Sequence, residues 1–109
     1  MFDLAAFYRF APIDDVADLR ASIIETCSNH HVKGTILLAS EGINGTIAGS
    51  PAGVEAVLAH LRTITGLEDL EAKRATTERD PFHRLKVRIK REIVSLGVGD
   101  VDVARYTAT

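Results

Sequence analysis

Two periods of hydrophobic and polar positions run along this chain, and each switch between them marks an element. Leu4-Ala5-Ala6-Phe7-Tyr8-Arg9-Phe10 is mixed in pattern and rich in aromatics, and it predicts a strand that Pro12 ends. Asp14 and Asp15 stand where a helix takes its N-cap and first-turn carboxylates. Val16, Leu19, Ile23 and Cys27, with Ile24 beside them, make one apolar stripe at helical spacing and predict a helix ending near Asn29. Gly34 to Ala39 is almost continuously apolar, which predicts a strand buried on both faces and therefore central in a sheet. Thr46-Ile47-Ala48 predicts its partner, and Glu41-Gly42 with Asn44-Gly45 predicts the turn between them, since Asn-Gly flanked by apolar strands is a strong hairpin signal.

Ser50 as N-cap and Pro51 as first helical residue open a second helix carrying Val54, Val57, Leu58, Leu61 and Ile64, stopped at Gly66. Leu70 to Thr77 admits a short strand through Leu70, Ala72 and Ala75 without requiring one, and Thr76 to Pro81 is polar and loop-like. From Arg84 to Lys90 the alternation is faultless: Leu85, Val87 and Ile89 point one way, and Arg84, Lys86, Arg88 and Lys90 the other. Ile93, Val94 and Leu96 extend this strand, and the glycine-containing stretch from Gly97 has no core period. The order strand, helix, strand, strand, helix, strand predicts an α+β domain over residues 1–96. Its arrangement is the ferredoxin-like, acylphosphatase-like βαββαβ sandwich, with two helices on one face of a four-stranded antiparallel sheet. Residues 97–109 are expected to be a tail or the start of a linker.

Composition narrows the classes. A chain of 109 residues is one domain by length, and it buries roughly two thirds of its unfolded surface, enough for a core without cross-links. The single cysteine excludes an internal disulfide and points to a reducing compartment, the cytoplasm. No apolar run approaches a membrane span, and the N-terminus lacks the basic region of a signal peptide. The net charge of −2 conceals an asymmetry. Residues 1–72 hold four basic residues against ten acidic ones, whereas residues 73–91 hold eight basic ones against Glu78 and Asp80. A polyanion would therefore have to use residues 73–91.

Several chemistries find little support. His30 and His31 are adjacent and His60 and His83 isolated, so no spacing matches a metal-ligand pattern and neither metal nor cofactor is expected. Cys27 lies in a core stripe, where a small buried hydrophobe is the simpler reading than a nucleophile. An acyl-phosphate hydrolase would need a phosphate cradle after the first strand, with Arg9 and Asn44 as anion and water ligands. The segment Phe10-Ala11-Pro12-Ile13-Asp14-Asp15 has no glycine and two carboxylates that would repel the phosphate. Nucleic-acid binding remains, through phosphate contacts along the basic strand. Exposed aromatics for stacking bases are not evident, because Phe7 and Phe10 read as core. The simpler reading of the basic strand is an edge charged against sheet-to-sheet association.

Two blocks go further than composition. GTILLASEGINGTIAG (34–49) and PFHRLKVRIKREIVSLG (81–97), with the opening FYRFAPIDD, resemble the N-terminal domain of the bacterial rhodanese-related tRNA uridine hydroxylases. The resemblance implies an acylphosphatase-like domain joined to a C-terminal rhodanese domain, in an enzyme implicated in oxygen-dependent 5-hydroxylation of the tRNA wobble uridine. The cysteine tied to that activity belongs to the rhodanese domain, and Cys27 matches nothing around it, so no catalytic residue carries over. The expectation is a non-catalytic domain that helps bind tRNA or shape the active site. Arg84, Lys86, Arg88, Lys90 and Arg91 are its candidate phosphate ligands, and Glu41, Gly42, Ile43, Asn44 and Gly45 its candidate active-site-facing loop. The alternatives are a domain that docks on the rhodanese domain without touching RNA, and an acylphosphatase-like hydrolase.

Overall fold

A computed structural model describes residues 1–90. Its elements are β1 (Phe2–Phe10), α1 (Val16–Asn29), β2 (Lys33–Ala39), β3 (Gly42–Gly49), α2 (Pro51–Leu61), β4 (Ala72–Thr77) and β5 (Leu85–Ile89). The sheet runs β4-β1-β3-β2-β5. β1 pairs antiparallel with β3 and β4, β2 pairs antiparallel with β3, and β5 lies parallel to β2. Among the described residues the sheet therefore has five strands and is mixed, not four-stranded and antiparallel. The expected antiparallel four are present, but the fourth is Ala72–Thr77, and the basic strand is an addition at the opposite edge.

Local signals account for the helices. Asp15 accepts from the Asp18 amide and caps α1; Ser50 accepts from the Gly53 amide and caps α2, with Pro51 in the first turn. After α1, His31 takes a left-handed conformation (φ 56°), and the Val32 amide returns to the Cys27 carbonyl at 2.9 Å. Leu19, Ile23 and Cys27 of α1 and Val54, Val57, Leu58 and Leu61 of α2 meet Ala5, Phe7, Ile36, Leu38, Ile43, Ile47 and Val87 of the sheet in one core. Those strand positions alternate with their neighbours, so both helices cover the same face. Full burial of a side chain such as Ile36 or Ile47 stabilises the fold by about 1.5–3 kcal/mol.

The hairpin differs from expectation. Ala39 pairs with Gly42, so the turn is Ser40-Glu41, and Asn44 and Gly45 lie inside β3. Neither adopts a positive φ, which an Asn-Gly turn of the usual hairpin type requires. Gly45 is needed for a different reason: a Cβ there would meet the Phe7 ring at 2.9 Å and the Thr35 carbonyl oxygen at 3.0 Å. The true turn is held from outside, by the Ala11 amide on the Glu41 carbonyl and the Ile13 amide on the Ser40 carbonyl. The central strand is β3, buried throughout, while β2 alternates buried and half-buried residues. Residues 91–109, including Arg91 and the expected tail, lie outside the described residues.

Candidate nucleic-acid interface

The sheet face turned away from the helices is where the candidate residues gather. The register aligns Tyr8 of β1, Asn44 of β3, Leu37 of β2 and Arg88 of β5 in one row across it. The next row runs Lys73 of β4, Ala6, Thr46, Thr35 and Lys86 of β5. Alternation puts both rows on the open side, because the neighbouring residues Ala5, Phe7, Ile36, Leu38 and Val87 fill the core. The face thus has a cation at each edge and small or aromatic side chains between. From β4 to β5 is four strand spacings, about 19 Å.

Arg84, Lys86, Arg88 and Lys90 are all exposed, and none forms an ion pair among the described residues. The strand beneath them is anchored by Val87, 4% exposed, and by the Arg20 guanidinium, which donates to the Val87 carbonyl at 2.7 Å. Two other cations are occupied. Arg74 points to the helix side and binds Asp3 at 2.8 Å and Glu55 of α2. That contact raises the Arg74 pKa and holds the Glu55 carboxyl below its ordinary range. Lys33 lies 3.8 Å from Asp80 in the connection that carries the chain from β4 to β5.

The expected loop is not a unit. Glu41 alone stands in the turn; Gly42, Ile43, Asn44 and Gly45 belong to the buried central strand. Gly42 and Asn44 fall on the open side, Ile43 and Gly45 on the core side. The turn forms one wall of a hollow of about 360 Å³ with Phe10, Ala11 and Pro12.

Sequence reasoning placed Phe10 in the core, but it is 53% exposed and meets the Tyr8 ring edge-to-face at 5.2 Å on the open side. Tyr8 in turn lines a cavity of about 340 Å³ with Asn44, Glu71 and Lys73. The exposed aromatics are not legible because β1 carries apolar residues on both faces, and Lys73, counted in the basic segment, could not be placed on this face because β4 has no clear signal. The alternation of Phe2, Leu4, Ala6, Tyr8 and Phe10 against a core set of Ala5 and Phe7 was the available clue.

The hydrolase alternative loses its site. Arg9 pairs with Ile43 on the core side of the sheet, and Asn44 occupies the other side, so the two do not converge. The amides of Ala11 and Ile13, which a phosphate cradle would use, are already bonded to the turn. Cys27 is buried at 0% exposure, and burial pushes its thiol up to about 11. Among the described residues no group of His, Cys, Asp and Glu gathers as metal ligands, and no helix is long and apolar enough to cross a membrane.

Residues 2–93 match the family described as UPF0176 acylphosphatase like domain. The chain belongs to this family. Several relatives share one name. A tRNA uridine(34) hydroxylase of Gluconobacter oxydans (strain 621H) is 48% identical over 96% of this chain and 35% of its own length. One of Albidiferax ferrireducens is 54% identical over 93% of this chain and 32% of its own length. One of Caulobacter vibrioides (strain NA1000 / CB15N) is 52% identical over 93% and 32%. This UPF0176 domain thus spans about a third of the curated relatives it matches, and corresponds to their N-terminal part. Solved structures share its fold alone. A bacterial light-regulated adenylyl cyclase matches with a TM-score of 0.69 at 8% identity, over 99% of this chain and 34% of that one. BlrB, a BLUF protein, matches with a TM-score of 0.63 at 17% identity, over 95% and 81%.

Proposed function

We propose that this chain is the non-catalytic, substrate-holding domain of a tRNA uridine(34) hydroxylase, and that β5 lays its basic face along the tRNA backbone. The observation that carries the reading is the set of four exposed cations on and beside one edge strand, none in an ion pair among the described residues, in a chain whose relatives bear that enzyme's name. Each cation that meets a phosphate displaces condensed counterions, which supplies affinity without sequence preference. Such contacts set the position and register of the RNA and leave the reaction to another site. Oxygen insertion falls to the rest of the longer protein, a rhodanese domain, because the only thiol of this domain is buried and held protonated. The Ser40-Glu41 end of the hairpin is the part we assign to facing that domain. The setting is the cytoplasm, where tRNA is modified.

The test is the full-length hydroxylase carrying this domain with Arg84, Lys86, Arg88 and Lys90 all changed to Gln. The expected result is weaker tRNA binding, with the slope of log affinity against log salt reduced by about 3. Hydroxylation of the wobble uridine should fall at limiting tRNA and recover at saturation. Unchanged affinity together with an unchanged salt slope would remove the phosphate role.

A further inference from the structure

The open face holds a site that the phosphate reading does not use. Among the described strands the β1–β4 ladder stops at the Phe7–Ala72 pair, one residue short of Tyr8, which pairs with Asn44 of β3. The gap is the cavity of about 340 Å³ between Tyr8, Asn44, Glu71 and Lys73, near the lower end of the ~300–1,000 Å³ range of small-molecule sites. Asn44 is only 4% exposed, and among the described residues its carboxamide makes no hydrogen bond. Among the described residues no fully buried side-chain nitrogen or oxygen lacks a partner, so the carboxamide meets solvent in the cavity that it lines. A buried carboxamide offers one acceptor and two donors to a ligand at a fixed position.

We propose that this cavity takes one unpaired nucleobase of the bound RNA, with the base stacked on the Tyr8 ring, which Phe10 steadies edge-on from outside the cavity, and its edge on the Asn44 carboxamide. The inference rests on the tRNA reading above and names the part of the RNA this face receives. Three properties select the occupant. Tyr8 gives an aromatic face, held by the edge-to-face Phe10 ring, which every base can stack on. The carboxamide gives and takes a hydrogen bond, as the edge of a base requires. Glu71 at the rim disfavours a phosphate inside the cavity but accepts from a base N–H or a ribose hydroxyl, while Lys73 stands ready for a phosphate beside it. Duplex RNA does not fit: its bases are stacked and paired, and the cavity holds one nucleoside. From β1 to β5 is three strand spacings, about 14–15 Å, and Tyr8, Asn44, Leu37 and Arg88 share one row. A single strand crossing the sheet along that row puts a base on Tyr8 and its downstream or upstream phosphates on Arg88 and Lys86.

Tyrosine fluorescence reports the contact. The chain has no tryptophan and two tyrosines, Tyr8 and Tyr106, so a Tyr106→Phe chain leaves Tyr8 as the single emitter. The probes are an oligouridylate and an abasic ribose-phosphate oligomer of equal length, followed by tRNA with the full-length enzyme. The oligouridylate should quench Tyr8 on binding, and the abasic oligomer should not. Tyr8→Leu and Phe10→Leu should each weaken oligouridylate binding by about five-fold or more, with the salt slope unchanged, because stacking releases no counterions. Asn44→Ser, which keeps a polar side chain in the strand, should weaken the oligouridylate and leave the abasic oligomer unaffected. Equal affinity for both oligomers, or Tyr8 emission indifferent to bound oligouridylate, overturns the proposal. So does a Tyr8→Leu enzyme that binds tRNA normally but melts earlier only when full-length; the face would then be covered by protein. If the four-Gln variant loses tRNA while the aromatic variants do not, only this inference fails. If neither set matters, the tRNA reading fails with it.

Discussion

Gly45 and Asn44 show how one dipeptide can carry a strong local signal and obey a tertiary one. In β3 the glycine is fixed by the Phe7 ring packed over it, so Gly45→Ala should act by overpacking, at about 1–3 kcal/mol. Urea denaturation checks this. Combining it with Phe7→Leu should recover part of the loss, which would not happen if the glycine served a positive φ. Cys27 illustrates the reverse case, where the local reading held: a stripe position in α1, fully buried, with its thiol raised by burial. Iodoacetamide should therefore label it near neutral pH only through unfolding, so the labelling rate should follow urea concentration and not thiol exposure in the native state. Phe10 could not be placed from its own identity. An aromatic residue at a strand end suits core or open face equally, and only the register with Gly42 decides.

At the scale of elements, β4 is the strand least visible in the sequence, being half-buried or exposed at every position. Its place depends on cross-strand pairs with β1 and on Arg74, which ties it to Asp3 and to Glu55 of α2. The Glu55 carboxyl is held below its ordinary 4.5 by the hydrogen bond and charge of Arg74. A depressed carboxylate contributes its stability above the unfolded value and loses it as pH falls through the folded one. Wild type should therefore exceed Glu55→Gln in Tm above pH 4.5, and the gap should close on acidification below that value; a constant gap would assign the effect to packing. The contact is exposed, so the difference is small. The helices, by contrast, were legible in their starts and stripes, although α2 ends at Leu61, short of the expected stop at Gly66. Their caps, Asp15 and Ser50, and their apolar stripes are local features that need no partner to be recognised.

For the whole molecule, the notable arrangement is that the basic strand is the last added and lies farthest from β4. β5 is joined to the rest by its parallel pairing with β2, by Val87 in the core and by the Arg20 contact. Val87→Asp should detach it while the four antiparallel strands persist. Helical circular dichroism should remain, amides of β2 should exchange faster, and salt-dependent RNA binding should drop; loss of all structure would show that β5 is integral to the core. The sequence alone determined the α+β class, both helices, the pairing of β2 with β3 and the alternation that gives β5 one basic face. These follow from periodicity and capping, which act between residues a few positions apart. Tertiary structure decided the number of strands, the parallel edge, the site of the turn, and the meeting of Tyr8, Asn44, Lys73 and Arg88 on one face. Those depend on register, and register is set by long-range pairing and core packing. A shift of one residue exchanges the two faces of a strand, so which chemistry meets on the open side is fixed only when all five strands are in place.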